Sequence, residues 1–534
     1  MMTTVGRDGD AQTGRAVSPL LWIAVAALVL AALAISLPVN HDEGQYVGPF
    51  ALAGHTRPFA DFTYLQTPLQ LWLTWPLAVL TRGWAFLALR LANAALALGE
   101  LALIYALQRR MGTPQRRALI ACGLLLAAYP FEFSSAVARN DALPALLEAA
   151  ALLAAVIGLE RAKGSWLAWT LAGVALGAAA SAKISYALPA AGMGLFLLWS
   201  AVRRRAGLRD VLGFGLGGAA GLIPSAAAFV SAPDNFIWGV LTYAHAASPY
   251  WYRAIGLAGR TQLPARLAEA VFHLAVGPGL PVLIGVAAAG FERTSRTEAP
   301  PPVRLLQALA VAGLLAALLP SPMQRQYFAP MLVPVTVLWG AQDVLQARRW
   351  LLVLTLAGLA VGVGRIGYVL GDAALGVASG RPPPAIAMSR QAQWIGRTLR
   401  AAGIAGPVAT PSPQAVLDSG AVLDPRFSSG AFAYRSADML TNAELARLHL
   451  TSPRTLARDL DARPPAAIVT GYEPPSGRTH RNVDDDFRAY ARSRGYRRLV
   501  APDGPGELWI REAGAVTPAA GLLAAPFPSP RPAS

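Results

Sequence analysis

The sequence predicts an α-helical protein that crosses a membrane many times and carries a small α/β domain near its C-terminus. Of its 534 residues, 54% are hydrophobic and only 14% are charged, whereas a soluble domain has about 25% charged residues. Long apolar runs recur between residues 17 and 371, and a spanning helix needs roughly 20 such residues. Beyond residue 371 the composition becomes mixed and polar, which predicts a second, separately folded unit.

The length rule for spanning helices predicts about eleven spans. They cover residues 17–39, 86–107, 117–131, 142–160, 165–182, 186–202, 211–231, 268–290, 304–319, 328–346 and 350–371. The first run lacks a small-residue cleavage pattern at its end, so we expect a membrane span there rather than a removable signal peptide. Residues 67–80 form a shorter apolar stretch, which we expect to lie at the membrane interface with Trp72 and Trp75 at headgroup level.

Basic clusters predict the orientation, because Lys and Arg near the ends of spans stay on the cytoplasmic side. With the N-terminus in the cytoplasm, every strong cluster lies inside, including those at residues 109–117, 203–209 and 348–349. The net charge is +16, but clusters separated by apolar runs are unlike a nucleic-acid surface, so no nucleic-acid partner is expected. These patterns predict a multi-pass protein of the bacterial inner membrane, in contact with its lipids, with the C-terminal domain on the periplasmic side.

Composition divides the chain into four segments. We expect a disordered cytoplasmic N-terminus at residues 1–16, a transmembrane domain at 17–371, an extracytoplasmic α/β domain at 372–513 and a disordered Ala/Pro-rich tail at 514–534. The single cysteine, Cys122, lies in an apolar run. A disulfide framework and a cysteine-based metal site are therefore excluded.

Two adjacent carboxylates, Asp42 and Glu43, follow the first predicted span in the sequence HDEGQY. Holding charge at a bilayer face costs free energy, and a carboxylate there can act as a general base that takes the proton from an attacking hydroxyl. Asp42 is the predicted base and Glu43 the second choice. An alternative is that Asp42 caps the following short helix with Glu43 in its first turn, and both interpretations can hold together.

A third carboxylate, Asp141, lies in the next outer turn, in the sequence ARNDALPALLEAA. It or Asn140 could simply cap the following helix, which has Pro144 in its first turn. The functional alternative is that Asp141 faces Asp42 across a cavity and positions the acceptor or a metal, while Arg139 binds an anion.

Basic residues on the predicted outer face are candidates for binding a leaving phosphate, whose developing charge must be stabilised. They are Arg57, Arg139, Lys183 and Arg325. Lys183 is a lone cation between the outer ends of two spans, where it could instead snorkel to lipid headgroups. Arg325 and Tyr327, at the outer start of a span, carry the same alternative.

Nucleotide-binding and hydrolase motifs are missing from the sequence: it has no Walker loop, no GxGxxG after a strand, no HExxH and no GxSxG. This absence argues against a sugar-nucleotide donor. Extracytoplasmic sugar transfer would therefore need a donor already carried on a lipid.

Several short segments, taken in order, resemble the GT-C superfamily of multi-spanning glycosyltransferases that use polyprenyl-phosphate sugars. The segments lie between residues 17 and 370 and read DEGQY, TPLQLWL, RLANA, ARNDA, SAKIS and RQYFAPMLVP. The resemblance implies an inverting transfer from a polyprenyl-phosphate sugar to a glycan, lipid or protein acceptor. It also implies that Asp42 is the base and that basic residues of the outer loops bind the lipid phosphate.

Two details of the site stay open at this point. Tyr46 and Tyr327 are the predicted surfaces against which the donor sugar packs, and Gln66-Thr67-Pro68 stands where the family often has a basic residue and two prolines. That difference removes one expected cation. Members of the superfamily differ in their need for a divalent metal, so no cofactor is assigned and a metal stays open.

A transporter or flippase of lipid-linked saccharides is the main competing function. A transporter should have repeat symmetry or interrupted helices near the midplane, and the hydropathy of the sequence has neither. An enzyme that polymerises or ligates oligosaccharides is a third alternative. Its functional residues would be expected in a large later loop, whereas here the first outer loop is richest in them.

Overall fold

The computed structural model describes residues 18–52, 57–161, 165–294, 299–342 and 348–511. Apolar helices make up most of residues 18–378, and a five-stranded sheet flanked by helices follows. The predicted helical membrane fold is confirmed. The predicted disordered ends, residues 1–16 and 514–534, lie outside the described residues.

The helices of the apolar part surround a core of Ala, Leu and Val side chains. Their bounds are α1 Pro19–Ser36, α2 Gly44–Val47, α3 Leu69–Leu80, α4 Ala85–Arg110, α5 Gln115–Leu126, α6 Tyr129–Ala136, α7 Ala142–Glu160, α8 Trp166–Ala182, α9 Ala187–Val202, α10 Leu208–Gly221, α11 Ile223–Ser231, α12 Pro233–Ile237, α13 Tyr243–Ala254, α14 Leu263–Ala275, α15 Gly279–Thr294, α16 Pro301–Leu318, α17 Ala329–Ala341 and α18 Arg349–Ala378. A π-helical turn at Trp238–Thr242 joins α12 to α13.

Among the described residues, six helical segments are long and apolar enough to span a membrane, and nine are if each bent pair counts as one span. The total of eleven stays a prediction. The chain bends by 72° between α5 and α6, by 47° between α10 and α11, and by 99° between α14 and α15. The predicted continuous span at 268–290 is therefore interrupted, because Gly277 adopts a φ of 118° there and Pro278 cannot donate a helical hydrogen bond.

Helices α8 and α10 pack backbone against backbone because glycines face each other. A Cβ atom on Gly177 would lie 2.3 Å from the carbonyl oxygen of Gly218, and one on Gly217 would lie 2.1 Å from that of Thr170. Small residues at such contacts are typical of helix pairs in membranes. The close contact fixes the end of α8, from which Lys183 follows directly.

The C-terminal part holds the sheet, with strands in the order β2-β1-β3-β5-β4. Their bounds are β1 Pro407–Ala409, β2 Val422–Leu423, β3 Ala467–Thr470, β4 Arg497–Val500 and β5 Glu507–Ile510. Strand β1 is parallel to β2 and β3, and β5 is antiparallel to β3 and β4. The accompanying helices are α19 Pro384–Ala401, α20 Gln414–Leu417, α21 Gly430–Ser436, α22 Asn442–Arg447, α23 Leu456–Ala462 and α24 Asp484–Ser493.

The boundary between the two parts lies later than residue 372. Helix α18 continues to Ala378, because the exposed Asp372 does not interrupt it and the chain does not turn until Gly380, which has a φ of 81°. Asp418 of the C-terminal part then accepts hydrogen bonds from the backbone N–H groups of Ala85 at 2.7 Å and Phe86 at 3.3 Å. A carboxylate is favourable at a helix N-terminus, so Asp418 ties the sheet domain to the start of α4.

Glu43 joins the first loop to α4 through a fully buried ion pair with Arg90. The Nε atom of Arg90 lies 2.8 Å from Glu43 Oε1, and neither side chain is exposed. Glu43 also accepts from the backbone N–H of Asn40 at 2.8 Å and of Ala138 at 2.7 Å. The side chain of Asn40 accepts from Asp42 N in return, forming a capping box. Glu43 therefore holds the geometry of the loop in which Asp42 lies.

We predict that Glu43→Gln lowers the free energy of unfolding by about 3–5 kcal/mol, because removing one partner of a buried pair leaves an uncompensated charge. The matched control is Glu160→Gln, whose exposed pair with Arg110 contributes less than about 1 kcal/mol. Thermal unfolding of both purified variants in the same detergent makes the comparison. Equal melting temperatures for the two variants would contradict the structural role of Glu43.

Candidate active site

Four turns of the chain meet at one end of the helices and line a cavity of about 390 Å³. Asp42 lies in a 3₁₀ turn, His41–Glu43, after α1, and Arg139 lies between α6 and α7. Lys183 ends α8, and Arg325 begins a second 3₁₀ turn, Arg325–Phe328, before α17. Each of these four charged side chains lines the cavity.

The buried guanidinium of Arg139 lies between two carboxylates. Its Nη1 atom is paired with Asp42 Oδ2, and its Nε atom lies 3.0 Å from Asp141 Oδ2. The other oxygen of Asp141 is paired with the Nζ atom of Lys183. The result is a continuous chain of alternating charges from Asp42 to Lys183.

Asp42 is the acidic end of this chain, and about a fifth of its side chain is exposed. Burial alone would raise the pKa of Asp42, but the charges of Arg139, His41 and Arg435 outweigh that effect and lower it below its ordinary value. The Nε2 atom of His41 lies 3.2 Å from Asp42 Oδ1. At neutral pH Asp42 is therefore an ionised carboxylate that can accept a proton.

Asp141 lies behind Arg139 and is fully buried. Burial would raise the pKa of Asp141, yet Lys183 and Arg139 together lower it. Burial lowers the pKa of Lys183 despite the opposing charge of Asp141. Asp141 does not line the cavity, so the functional alternative in which it faces Asp42 across that space is wrong. Its two oxygens instead contact Arg139 and Lys183.

Arg325 and Arg435 add positive charge to the cavity. Among the described residues neither guanidinium has an acidic side chain within ion-pair distance, although both line the cavity. Burial and the nearby charge of Arg365 lower the pKa of Arg325 to about 10. Arg325 donates to the hydroxyl of Tyr129, and its Cζ atom lies 3.7 Å from the ring centroid of Phe133. An anion entering the cavity would be stabilised by these charges.

Aromatic rings surround the charged groups. The Cζ atom of Arg139 lies 4.8 Å from the ring centroid of Tyr46, and the Nζ atom of Lys183 lies 5.9 Å from that of Tyr327. Both tyrosines line the cavity, and burial raises the pKa of each hydroxyl above its ordinary value. Both tyrosines are therefore neutral, and each ring makes a cation–π contact with one of the basic side chains.

The C-terminal domain completes the cavity wall with Phe432 and Arg435 of α21. The ring of Phe432 stacks on His41, with centroids 5.2 Å apart. The guanidinium of Arg435 lies over Phe432 at 4.1 Å and over Trp251 at 4.9 Å. The sequence patterns alone did not indicate a role for His41 or Arg435. His41 is adjacent to the acidic pair, a signal that could have been used, whereas nothing in the sequence links Arg435 to a loop almost 400 residues away.

Besides Asp141, two of the predicted site residues do not line the cavity. Arg57 is exposed on its loop and pairs with Asp61 at 2.7 Å. Its charge therefore lies outside the cavity and already has an acidic partner, which argues against a role as phosphate ligand. Glu43 is fully buried against Arg90 and cannot approach a substrate in this arrangement. The carboxylate of Glu43 accepts its hydrogen bonds from Arg90 and from backbone N–H groups, whereas Asp42 lines the cavity.

The residues present do not fit a divalent metal at this site. Within the described ranges, no group of three or more His, Cys, Asp or Glu side chains is arranged to hold one. Asp141, the residue proposed for metal positioning, already contacts two cations, and a third positive charge beside them would be repelled.

Comparison with known proteins gives a family match and structural matches. Residues 65–229 match the family model described as dolichyl-phosphate-mannose-protein mannosyltransferase. The crystal structure of ArnT from Cupriavidus metallidurans bound to undecaprenyl phosphate is similar, with a TM-score of 0.58 at 16% identity, over 93% of this chain and 99% of that one. The apo structure of the same protein gives 0.57 at 17% identity, over 93% and 98%.

Comparison with curated proteins by sequence gave no match. The structural likeness extends over nearly the whole of both chains, so it includes the helical part and the C-terminal domain. The family match begins after Asp42, includes Arg139 and Lys183, and ends before Arg325. The chain therefore shares its fold with ArnT, and its residues 65–229 match the mannosyltransferase family model.

Proposed function

We propose that the protein is an inverting glycosyltransferase that moves a sugar from a polyprenyl-phosphate donor to a cell-envelope acceptor. The observation that carries the proposal is the cavity in which an ionised carboxylate, Asp42, lies among cations that outnumber the nearby acidic groups. The family match over residues 65–229 and the shared fold support enzyme activity of this kind, and ArnT, whose structure is similar, is described with undecaprenyl phosphate bound.

In the proposed reaction Asp42 takes the proton of an acceptor hydroxyl as that oxygen attacks the anomeric carbon of the donor sugar. The bond from the anomeric carbon to the phosphate oxygen breaks, and its electrons leave with the lipid phosphate. Asp42 is the one acidic side chain among the described residues that line the cavity. A single carboxylate favours one direct displacement with inversion, because the two-step retaining route needs a second group as nucleophile.

The lipid phosphate is proposed to bind Arg139, Lys183 and Arg325. Arg325 has no acidic ion-pair partner to displace in the part of the chain that the structure describes, and Lys183 and Arg139 are held in place by Asp141. Preorganised cations can stabilise developing negative charge without reorganising during the reaction. Tyr46 and Tyr327 are proposed to contact the donor sugar, since they line the same cavity beside the cations.

The proposed site is extracytoplasmic. Arg109-Arg110 end α4, and residues 203–205 follow α9, in each case at the helix end that lies away from the cavity. Arg348-Arg349 lies at the start of α18, the end of that helix that is far from the C-terminal domain. Because basic clusters stay in the cytoplasm, the cavity and the C-terminal domain would face the other side. A lipid-carried donor suits that compartment.

We predict that Asp42→Asn lowers the rate of sugar transfer by about 100-fold or more, the usual contribution of a general base. The assay follows label from a polyprenyl-phosphate sugar pool into envelope glycans, at matched membrane levels of protein. Binding of undecaprenyl phosphate should persist, because the variant removes a negative charge and no cation.

The matched control is Asp503→Asn, an exposed aspartate of the C-terminal domain that should leave the rate unchanged. Undiminished transfer by Asp42→Asn at equal protein levels would contradict the assignment of Asp42 as the general base. It would also reopen the transporter alternative.

A second prediction concerns the donor phosphate. Arg325→Gln should raise the donor KM by about 10- to 100-fold, the effect expected from losing a charge-assisted hydrogen bond, whereas Arg57→Gln should not change it. Steady-state transfer with a titrated polyprenyl-phosphate sugar separates KM from kcat. A larger effect from Arg57→Gln than from Arg325→Gln would mean that the phosphate binds elsewhere.

A further inference from the structure

A second cavity, of about 420 Å³, lies between the first loop and the C-terminal domain. Its polar lining residues are Asn40, His41, Gln391, Gln414 and Tyr472. The remaining described lining residues are apolar side chains, prolines and one glycine. None of the reaction steps proposed above uses this space.

The two cavities differ in charge. No Asp, Glu, Lys or Arg is present among the described residues that line the second cavity, whereas the first contains several basic side chains and Asp42. Apart from the imidazole of His41, which it shares with the first cavity, the second cavity offers no charged side chain to a phosphate or a metal ion among its described lining residues. Its amides, phenol and ring faces instead suit a neutral ligand that carries many hydroxyl groups.

Four polar atoms of the lining residues lack a hydrogen-bond partner among the described residues; one is the Nδ1 atom of His41, which lies 3.6 Å from Glu473 Oε2. The Oε1 atoms of Gln391 and Gln414 and the hydroxyl of Tyr472 are buried with no hydrogen bond to any described residue. Gln414 is only 1% exposed, and Gln391 is held in place because its Nε2 donates to the carbonyl oxygen of Asp503 at 2.6 Å. Buried polar groups are nearly always satisfied. These three oxygens have almost no accessible surface, so each gains a ligand hydroxyl as partner when its side chain turns toward the cavity.

The second cavity adjoins the candidate base. Asn40 and His41 line both cavities, the Nε2 atom of His41 lies 3.2 Å from Asp42 Oδ1, and the Oδ1 atom of Asn40 accepts from Asp42 N at 2.9 Å. On its other side, the Nδ1 atom of His41 lies 3.6 Å from Glu473 Oε2 of the C-terminal domain. A ligand held in the second cavity would therefore be one side chain away from the group that takes the acceptor proton.

We propose that this second cavity binds a neutral saccharide portion of the acceptor. The inference rests on the proposed transferase function and adds to it the chemical class of the acceptor and the place where it is held. The acceptor's reacting hydroxyl extends past Asn40 and His41 to Asp42, while the donor phosphate occupies the charged cavity. The C-terminal domain supplies Gln391, Gln414 and Tyr472 and so selects the acceptor.

The test measures ligand protection and needs no sugar transfer. In the full-length protein, Ala387→Cys places a thiol on the wall of the second cavity, and Ala401→Cys places a matched thiol at the exposed end of the same helix, α19. The native Cys122 is buried and does not compete for a maleimide. The probes are neutral saccharides released from the cell envelope of the source organism, inorganic phosphate and an uncharged Gly/Ser peptide.

Neutral saccharides should slow labelling at position 387 at least about 5-fold and leave position 401 unaffected, while phosphate and the peptide protect neither. Adding Tyr472→Phe should raise the half-protecting saccharide concentration by about 2- to 12-fold, the loss of one hydrogen bond. Absence of saccharide protection at 387, equal protection at 401, or protection by the peptide instead would each overturn the proposal. A wild-type protein that binds saccharide here but transfers no sugar would instead contradict the transferase function.

Discussion

The ion pairs of Arg139 join the parts of the site, and the rest of the arrangement depends on them. One guanidinium contacts Asp42 of the first loop and Asp141 before α7, and Asp141 in turn holds Lys183 at the end of α8. Charges this deeply buried persist only when each is paired, since leaving one unpaired costs several kcal/mol. The network therefore sets the positions of the base and of two proposed phosphate ligands together, rather than one residue at a time.

Charge also divides the space around Asp42 into two compartments. On one side the cations exceed the carboxylates and suit the phosphate of a lipid-linked donor. On the other side the described lining residues are polar but include no Asp, Glu, Lys or Arg, and they suit hydroxyl groups. Asn40 and His41 lie between the two compartments. Glu43 holds this segment in place, because its carboxylate accepts hydrogen bonds from Arg90 and from the backbone of Asn40. A transferase needs such a division, because donor and acceptor must approach one base from different directions.

Much of this arrangement could be predicted from the sequence. Polar residues at the ends of apolar runs, namely Asp42, Arg139, Lys183 and Arg325, were expected on one face, and the structure brings all four to one cavity. The sequence alone could not show that Arg57 lies outside this cavity, because its pairing with Asp61 depends on the local shape of the loop. The interruption of the span at Gly277 could not be predicted from hydropathy, because hydropathy depends on residue composition and does not show where the helix axis changes direction. Arg435 was missed because only tertiary folding brings α21 to the first loop.

The central claim is that one cavity joins the base Asp42 to the cations that receive the donor phosphate. A cryo-EM structure of the full-length protein with undecaprenyl phosphate tests it most directly. The account predicts phosphate density within hydrogen-bond distance of Arg325 and of Lys183 or Arg139, in the cavity that Asp42 lines. Phosphate density outside that cavity, for example beside Arg57 or in the uncharged compartment, would contradict it.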